Sequence, residues 1–393
     1  MTEQTLDVQF IDSIHLCPIA SWQQLLDKEN IDYPFIQYAF IAALEDSESC
    51  CLKTGWQAKH CLVYDDEKLV ALMPCYEKHH SYGEYVFDHQ WASAYHQHGL
   101  NYYPKLLTAI PFTPCQGPRL VIDSNYDKTK VEVLILETMK KLCKQQNYSG
   151  WHGLFLENEQ SFANLPARIG VQFHWYNRGY QNFDEFLAAF TSRKRKMVKK
   201  ERKKVQEQGF RCRFVEGENI DDHLWQQFHY LYQLTYAKRS GHGGYLSQTF
   251  FTELGRNLAD SVVLLVAELE EEDSESGYRL CAASLFFKDA ETLYGRYWGC
   301  YTEFDFLHFE ACYYQAIDYC ISHGLTHIDA GAQGEHKVQR GFEPIFTSSV
   351  HYLQHPGFYQ AISQVVEEEK VHIKQYHQSC WQALPYQEGF LKT

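Results

Sequence analysis

The sequence has no apolar run long enough to cross a membrane. Its longest purely apolar stretch is Val262–Ala267, far short of the ~20 residues a spanning helix needs. The opening stretch MTEQTLDVQFIDSIHLCPIASW has neither a basic n-region nor a continuous apolar core, so no secretory signal is expected there. There is no CxxC pair among the 13 cysteines, and their number is odd. A disulfide framework or a zinc ribbon needs regular spacing. The expectation is therefore reduced, mostly buried thiols in a reducing cytosol. The 20 histidines include no HExxH-like ligand pair, so no metal site is expected, and His79, His80, His89, His96 and His98 read as surface or hydrogen-bonded residues. No Ser or Cys stands in a nucleophile elbow. Positive charge is also scarce overall: a net charge of −14 argues against general nucleic-acid binding.

What is present is a long, apolar-rich chain. At 393 residues it exceeds the usual size of one core, and 45% hydrophobic with 16% aromatic residues argues against disorder. Two domains are expected, 1–180 and 181–393. In the first half, HCLVYD and KLVALMPCYEK read as a hairpin around Asp65-Asp66-Glu67. A helix at His89–His98, a proline-punctuated strand, a helix at Thr129–Asn147 and strands near 153–157 and 171–176 follow. The second half opens with a helix at 183–208 that carries RKRKMVKKERKK, where nine of twelve residues are basic and one is acidic. Three strands (261–269, 279–288, 292–299), a helix at 307–323 ended by Gly324, a strand at 325–329, a strand at 347–353 and a helix from Phe358 complete it. Each half runs helix, antiparallel strands, helix, strand. The fold class expected is α+β, with mixed, mostly antiparallel sheets flanked by helices, and not a Rossmann series.

Four segments are candidates for chemistry. In DAGAQGEHKVQRGF, glycines permit left-handed turns and close backbone approach, and a carboxylate, an imidazole, an ammonium and a guanidinium stand between them. Glu335, His336 and Lys337 are candidate catalytic groups; Asp329, Gln333 and Arg340 are candidate substrate contacts. The competing reading is a polar turn with its cations in water. On the preceding helix Glu310 borders an apolar face, where a carboxylate can be tuned to accept a proton. Otherwise it is a first-turn Glu favoured by the macrodipole. His308 is expected in solvent. Tyr297, on the strand before, is a further substrate candidate. In SYGEYVFDHQWA and YYPKLLTAIPFTPCQGPR, Asp88, Tyr103, Lys105 and Arg119 form a candidate substrate wall, or a stiff edge strand. On the basic helix, Phe183, Phe186, Phe190, Met197 and Val205 give a thin docking stripe. Arg193, Lys194, Arg195, Lys196, Lys199 and Lys200 then face RNA phosphates or an anionic lipid carrier, or plain solvent.

These segments, together with GRYWGC and LHFEACYYQAIDYCI, resemble in order the FemAB-like predicted N-acyltransferase family, often labelled peptidoglycan biosynthesis/recognition, over roughly residues 20–390. The resemblance implies two tandem GNAT-like domains in a cytoplasmic protein. It implies transfer of an acyl or aminoacyl group from acyl-CoA or aminoacyl-tRNA to an amine, with no tightly bound cofactor. The GNAT pyrophosphate loop should precede the helix at Leu307, but YTEFDFLHFEA has no glycine, so standard acetyl-CoA binding is not expected. HKVQRGF is similar to the lysine-bearing stretch of Fem proteins. The expected mechanism is direct attack of the amine, with Glu310 or Glu335 as base, His336 in reserve, and Lys337 with Arg340 on the oxyanion or leaving group. The alternative is a catalytically silent GNAT-like module that recognises a wall precursor or RNA.

Overall fold

The computed structural model describes residues 6–157, 162–241, 243–272, 277–332 and 334–391. Gln333 and part of the acidic loop after Glu270 lie outside the described residues. The chain forms two compact units, Met1–Val171 with Phe346–Gln375, and Gln172–Ile345 with Tyr376–Thr393. Both are discontinuous in sequence, so a single boundary residue does not describe them. Each shows the expected α+β class. Among the described residues no helix is long and apolar enough to cross a membrane, and no group of three or more His, Cys, Asp or Glu could hold a metal ion.

The first unit contains a four-stranded antiparallel sheet in the order Leu6–Ile11, His60–Asp65, Lys68–Met73, Val121–Ile122. The expected hairpin closes here because Asp66 takes the left-handed conformation (φ 52°), which Asp tolerates better than most residues. Further strands pair as Trp56–Ala58 with Tyr76–Lys78, Tyr76–Lys78 with Lys105–Thr108, and Lys105–Thr108 with Gly150–Leu154. Gly150–Leu154 in turn pairs with residues 349–353. Helix Lys128–Gln146 begins at Asp127, whose carboxylate accepts the Lys130 N–H at 3.1 Å. It ends at left-handed Asn147. Its buried face, Val131, Ile135, Met139 and Cys143, packs into a core with Val63, Ala71, Met73, Leu106 and Trp151.

In the second unit the antiparallel order is Arg211–Glu216, Val262–Glu270, Tyr278–Lys288, Thr292–Cys300. Thr292–Tyr294 then pair in parallel with His327–Asp329, which pair on their other side with residues 174–176. Pairing stops at Asp329, and the chain leaves the sheet as the Gly-rich segment. Helix Asp222–Ser240 lies so close to Thr292–Cys300 that a Cβ on Gly299 would sit 2.4 Å from the Leu231 carbonyl carbon.

Two helices differ from expectation. The one expected at 183–208 is two, Phe183–Ala188 and Ser192–Glu207. The break forms because residues 189–191 find other backbone partners: Gln387 N–H donates to Ala189 O and Thr191 N–H to Pro385 O, both at 2.9 Å. Arg195 Nη2 satisfies the freed Phe190 carbonyl at 3.0 Å. The second helix buries Val198, Glu201 and Val205, and Met197 lies at the edge of that face. Helix Leu307–His323 contains a π turn, Glu310–Tyr314, closed by the Gln315 N–H on the Glu310 carbonyl.

Substituting Gly299→Ala forces the Leu231 backbone to move. The expected loss is about 1–3 kcal/mol of stability, read from the urea midpoint; an unchanged midpoint would contradict this packing.

Candidate active site

The site turn is a 3-10 segment, Glu335–Arg340, held between left-handed Gly334 (φ 107°) and Gly341 (φ 87°). Those glycines are required twice over, since a Cβ on Gly341 would also lie 2.9 Å from the Phe190 ring. Asp329 fixes the exit from the sheet: it is 1% exposed, and Oδ1 accepts the Gly331 N–H at 2.8 Å. Lys337 completes the loop from inside. Its Nζ donates to the carbonyls of Ala330 and Gly331, each at 2.8 Å.

Arg340 is the hub. Its Nη2 reaches both oxygens of Glu201 at 2.8 and 2.9 Å, Nη1 donates to the His336 carbonyl at 2.8 Å, and the guanidinium lies 3.5 Å over the Phe309 ring. Tyr314, on the π turn, donates a short hydrogen bond to Glu201. Arg340 and Glu201 are 5% and 6% exposed, so the pair operates at low dielectric, where geometry this good is needed to offset desolvation.

In front of that pair is a ring of aromatics and imidazoles. His336, exposed at its edge, has Nε2 2.9 Å from the Tyr313 hydroxyl. His308 packs against Trp298, Tyr313 and His336 at centroid distances of 5.4, 5.4 and 6.1 Å. His308 is half-buried, not in solvent as expected. Burial, then the Arg340 and Lys337 charges, holds His336 down at about 4. Burial and the neighbouring His336 hold His308 at about 3. Both rings are therefore neutral bases at pH 7. Nearby Cys312, its Sγ 3.1 Å from Ser284 Oγ, is a thiol pushed up to about 12 by burial.

Of the residues singled out from sequence, Glu335, His336, Lys337 and Arg340 share this turn, and the π turn brings Tyr313 and Tyr314 to it. Glu335 is exposed and accepts the Tyr376 hydroxyl at 2.9 Å. Glu310 is bound by Arg202 at 2.9 Å and by Gln315 at 2.7 Å. Tyr297 is buried against Tyr232 and Phe251. On the basic helix Arg193, Lys196, Lys199 and Lys200 are exposed, Lys199 sitting 2.9 Å from exposed Asp184. Lys194 and Arg195 turn inward, to Gln339 and to the Ala188 and Phe190 carbonyls. In the first unit Asp88 and Lys105 are buried and 2.5 Å apart, with Tyr103 beside them. They do not form an open wall. Arg119 belongs to a separate place, donating to the Cys115 and Gly117 carbonyls. Glu201, Tyr313 and Tyr314 were missed. The one signal for Glu201 was in view: it is the single acid in the basic run.

A family model described as FemAB-like, peptidoglycan biosynthesis/recognition, matches residues 13–388. No curated protein matches the chain. Among solved structures, the C-terminal domain of a putative lysylphosphatidylglycerol synthetase from Agrobacterium fabrum is similar. It is 8% identical at a TM-score of 0.50, over 89% of this chain and 95% of that one. FemX is 14% identical at 0.49, over 81% and 93%. A tandem GNAT protein from the clavulanic acid biosynthesis pathway is 9% identical at 0.46, over 90% and 99%. At such identities the likeness speaks to fold alone.

Removing one partner of the hub leaves a buried charge uncompensated. Glu201→Ala is expected to cost about 3–5 kcal/mol in chemical denaturation, and pairing Glu201→Met with Arg340→Met to recover most of it. Equal losses from the single and double variants would contradict the pairing. The imidazole of His336 is expected to titrate near 4 by NMR, below the usual ~6.5. Because the folded value is the lower one, its contribution to stability is complete above ~6.5 and is lost as pH falls through the folded value. Titration between pH 6 and 7 would contradict the assigned environment.

Proposed function

The chain belongs to the FemAB-like family, and from that premise we propose that it is a transferase moving an acyl or aminoacyl group onto an amine of a small or cell-wall-precursor-like acceptor in the cytoplasm. One observation carries the reading. The π turn sets Tyr313 OH 2.9 Å from an accessible, neutral His336 imidazole, directly in front of the buried Arg340–Glu201 pair. π turns concentrate at functional sites.

In this mechanism the amine nitrogen attacks the acyl carbonyl and a C–N bond forms. The ester or thioester bond to the carrier breaks, and the departing tRNA hydroxyl or CoA thiol takes up a proton. The amine's proton passes to His336, with Tyr313 as its hydrogen-bonded relay, and from His336 to the departing hydroxyl or thiol. Glu335, on the same turn, is the second acceptor. Lys337 and Arg340 place positive charge where the oxyanion develops, although both side chains chiefly bind protein groups. Glu310 holds the π turn to Arg202, so its role is positioning. No covalent intermediate is required, since the Cys312 thiol stays protonated.

The donor's carrier is CoA or tRNA, and two features favour tRNA. The helix at Leu307 starts from left-handed Phe306 without a side-chain cap or a glycine turn for a pyrophosphate. The basic helix presents Arg193, Lys196, Lys199 and Lys200 outward while Glu201 ties it to the site. A second reading, a silent module that recognises a wall precursor or RNA, is favoured by one fact: Glu310 and Arg340 are both engaged in internal ion pairs.

With the true donor and acceptor, His336→Ala is expected to lower kcat/KM by about 10²–10⁴-fold, Tyr313→Phe by less, and Glu310→Gln to act mainly on stability. Unchanged turnover in His336→Ala would refute the assignment. Thermal-shift titration is expected to show stabilisation by aminoacyl-tRNA that weakens with salt and with Lys196→Glu/Lys200→Glu. Stabilisation by acyl-CoA alone would reverse the choice of carrier.

A further inference from the structure

The first unit places two lysines directly opposite one another. Lys78 and Lys105 are cross-strand partners in an antiparallel pair, both 0% exposed. Like charges in that register repel, and an apolar pair would satisfy the fold without the penalty of burying them. The surroundings are built around the cations. Lys78 Nζ lies 3.7 Å over the Trp56 ring, and Lys105 Nζ lies 5.2 and 5.8 Å from the Tyr102 and Tyr103 rings. Between the ammonium groups stands one carboxylate, Glu84, with Oε2 2.8 Å from Lys105 and Oε1 4.0 Å from Lys78. Asp88 and Ser81 add contacts to Lys105 at 2.5 and 3.0 Å.

All three of these groups come from one segment, Ser81–Asp88. It turns Ser81, Glu84 and Asp88 inward, while Tyr82 and Phe87 are 61% and 57% exposed. Its backbone bends through positive φ at Gly83 (79°) and Tyr85 (61°). It is pinned at Gly83, whose carbonyl accepts the Phe112 N–H at 3.2 Å, and at Phe87, whose carbonyl accepts Arg168 Nη1 at 2.6 Å. The fit is incomplete. Glu84 Oε1 and Asp88 Oδ1 are buried without a hydrogen-bond partner, and buried orphaned acceptors weaken the state that contains them. Lifting the segment would return both oxygens to water and leave two ammoniums facing each other without an anion.

We propose that Lys78 and Lys105 form a seat for a ligand's oxyanion, a carboxylate or phosphate group, which the segment Ser81–Asp88 covers and fills with Glu84 until such a ligand displaces it. The Glu84 carboxylate already shows the geometry, one oxygen toward each lysine. Burial raises Glu84 to about 7 and lowers Lys78 to about 7, while Tyr102 donates to Asp88 Oδ2 at 2.6 Å, Ser81 Oγ lies 2.7 Å from the Tyr103 hydroxyl, and Lys78 donates to the Tyr82 carbonyl at 3.4 Å. The site lies in the other unit from His336 and does not depend on the transfer reading.

The test uses the full chain with inorganic pyrophosphate, inorganic phosphate and acetate, against sodium chloride at matched ionic strength. Melting temperature and chymotryptic cleavage between Tyr82 and Phe87 are followed. In the wild type the seated anion is expected to speed that cleavage. Glu84→Gln removes the competing carboxylate, so its apparent affinity is expected to rise at least about tenfold, as it does when the competent state becomes populated. Lys105→Met, with Lys78→Met as the alternative variant, is expected to abolish both effects. A response to acetate alone assigns a carboxylate ligand, and a response to phosphate or pyrophosphate a phosphoryl one; either supports the seat. No change beyond the chloride control in wild type and Glu84→Gln would overturn it. So would an anion response that survives both lysine substitutions.

Discussion

The buried ion pair between Arg340 and Glu201 is the interaction on which the second unit's site depends. The turn, the π turn and the basic helix all meet at it. The glycine-bounded turn is held because Arg340 reaches back to the His336 carbonyl while its guanidinium binds Glu201. The π turn is held because Tyr314 donates to the same carboxylate and Phe309 lies under the guanidinium. The basic helix is oriented because Glu201 faces inward, which sends Arg193, Lys196, Lys199 and Lys200 outward. One carboxylate thus sets the turn, the π-turned helix and the cationic surface in a single arrangement. Burial is the main reason the His336 pKa is depressed, and the Arg340 charge held beside it lowers it further.

The two units use buried charge differently. Around Arg340 and Glu201 both carboxylate oxygens accept from one guanidinium nitrogen, Nη2, and the Tyr314 hydroxyl adds a further bond, while Arg340 Nε is buried without a hydrogen-bond partner. Around Lys78 and Lys105 the charges are repulsive in register and only partly answered by Glu84 and Asp88, which keep orphaned oxygens. Burial keeps Glu84 raised even beside two cations, whereas Asp88, despite burial, is held well below the usual carboxylate range by Lys105. The two clusters differ in the sign of the facing charges, opposite at Arg340 and Glu201 and alike at Lys78 and Lys105.

Most secondary structure was legible because periodicity and end signals agreed. The hairpin at 60–73, the helix from Asp127 to Asn147 and the strands at 262–300 have apolar alternation or a 3.6-residue stripe bounded by turn residues. The break at 189–191 was not legible, since its cause is backbone pairing with residues 385–387, distant in sequence. The π turn leaves no mark in composition; it becomes apparent only when Tyr313 and Tyr314 are seen meeting His336 and Glu201. The site turn was found from its glycines and mixed ionisable groups, but which of those groups face solvent was not readable. Sequence nominated Glu310 or Glu335 as the base with His336 in reserve; that Glu310 is buried against Arg202 while His336 is exposed at its edge depends on packing, which the sequence does not state. The facing of Lys78 and Lys105 depends on strand register, which a lone sequence does not state.

The proposed chemistry is direct transfer from a carried acyl group to an amine at the His336–Tyr313 pair. Its most direct test is intact-mass analysis of the protein and acceptor through a single turnover with aminoacyl-tRNA or acyl-CoA. The prediction is an amide on the acceptor while the enzyme keeps its unmodified mass at every time point. An acyl group on the enzyme that forms before the product, or no amide from either carrier, would contradict it.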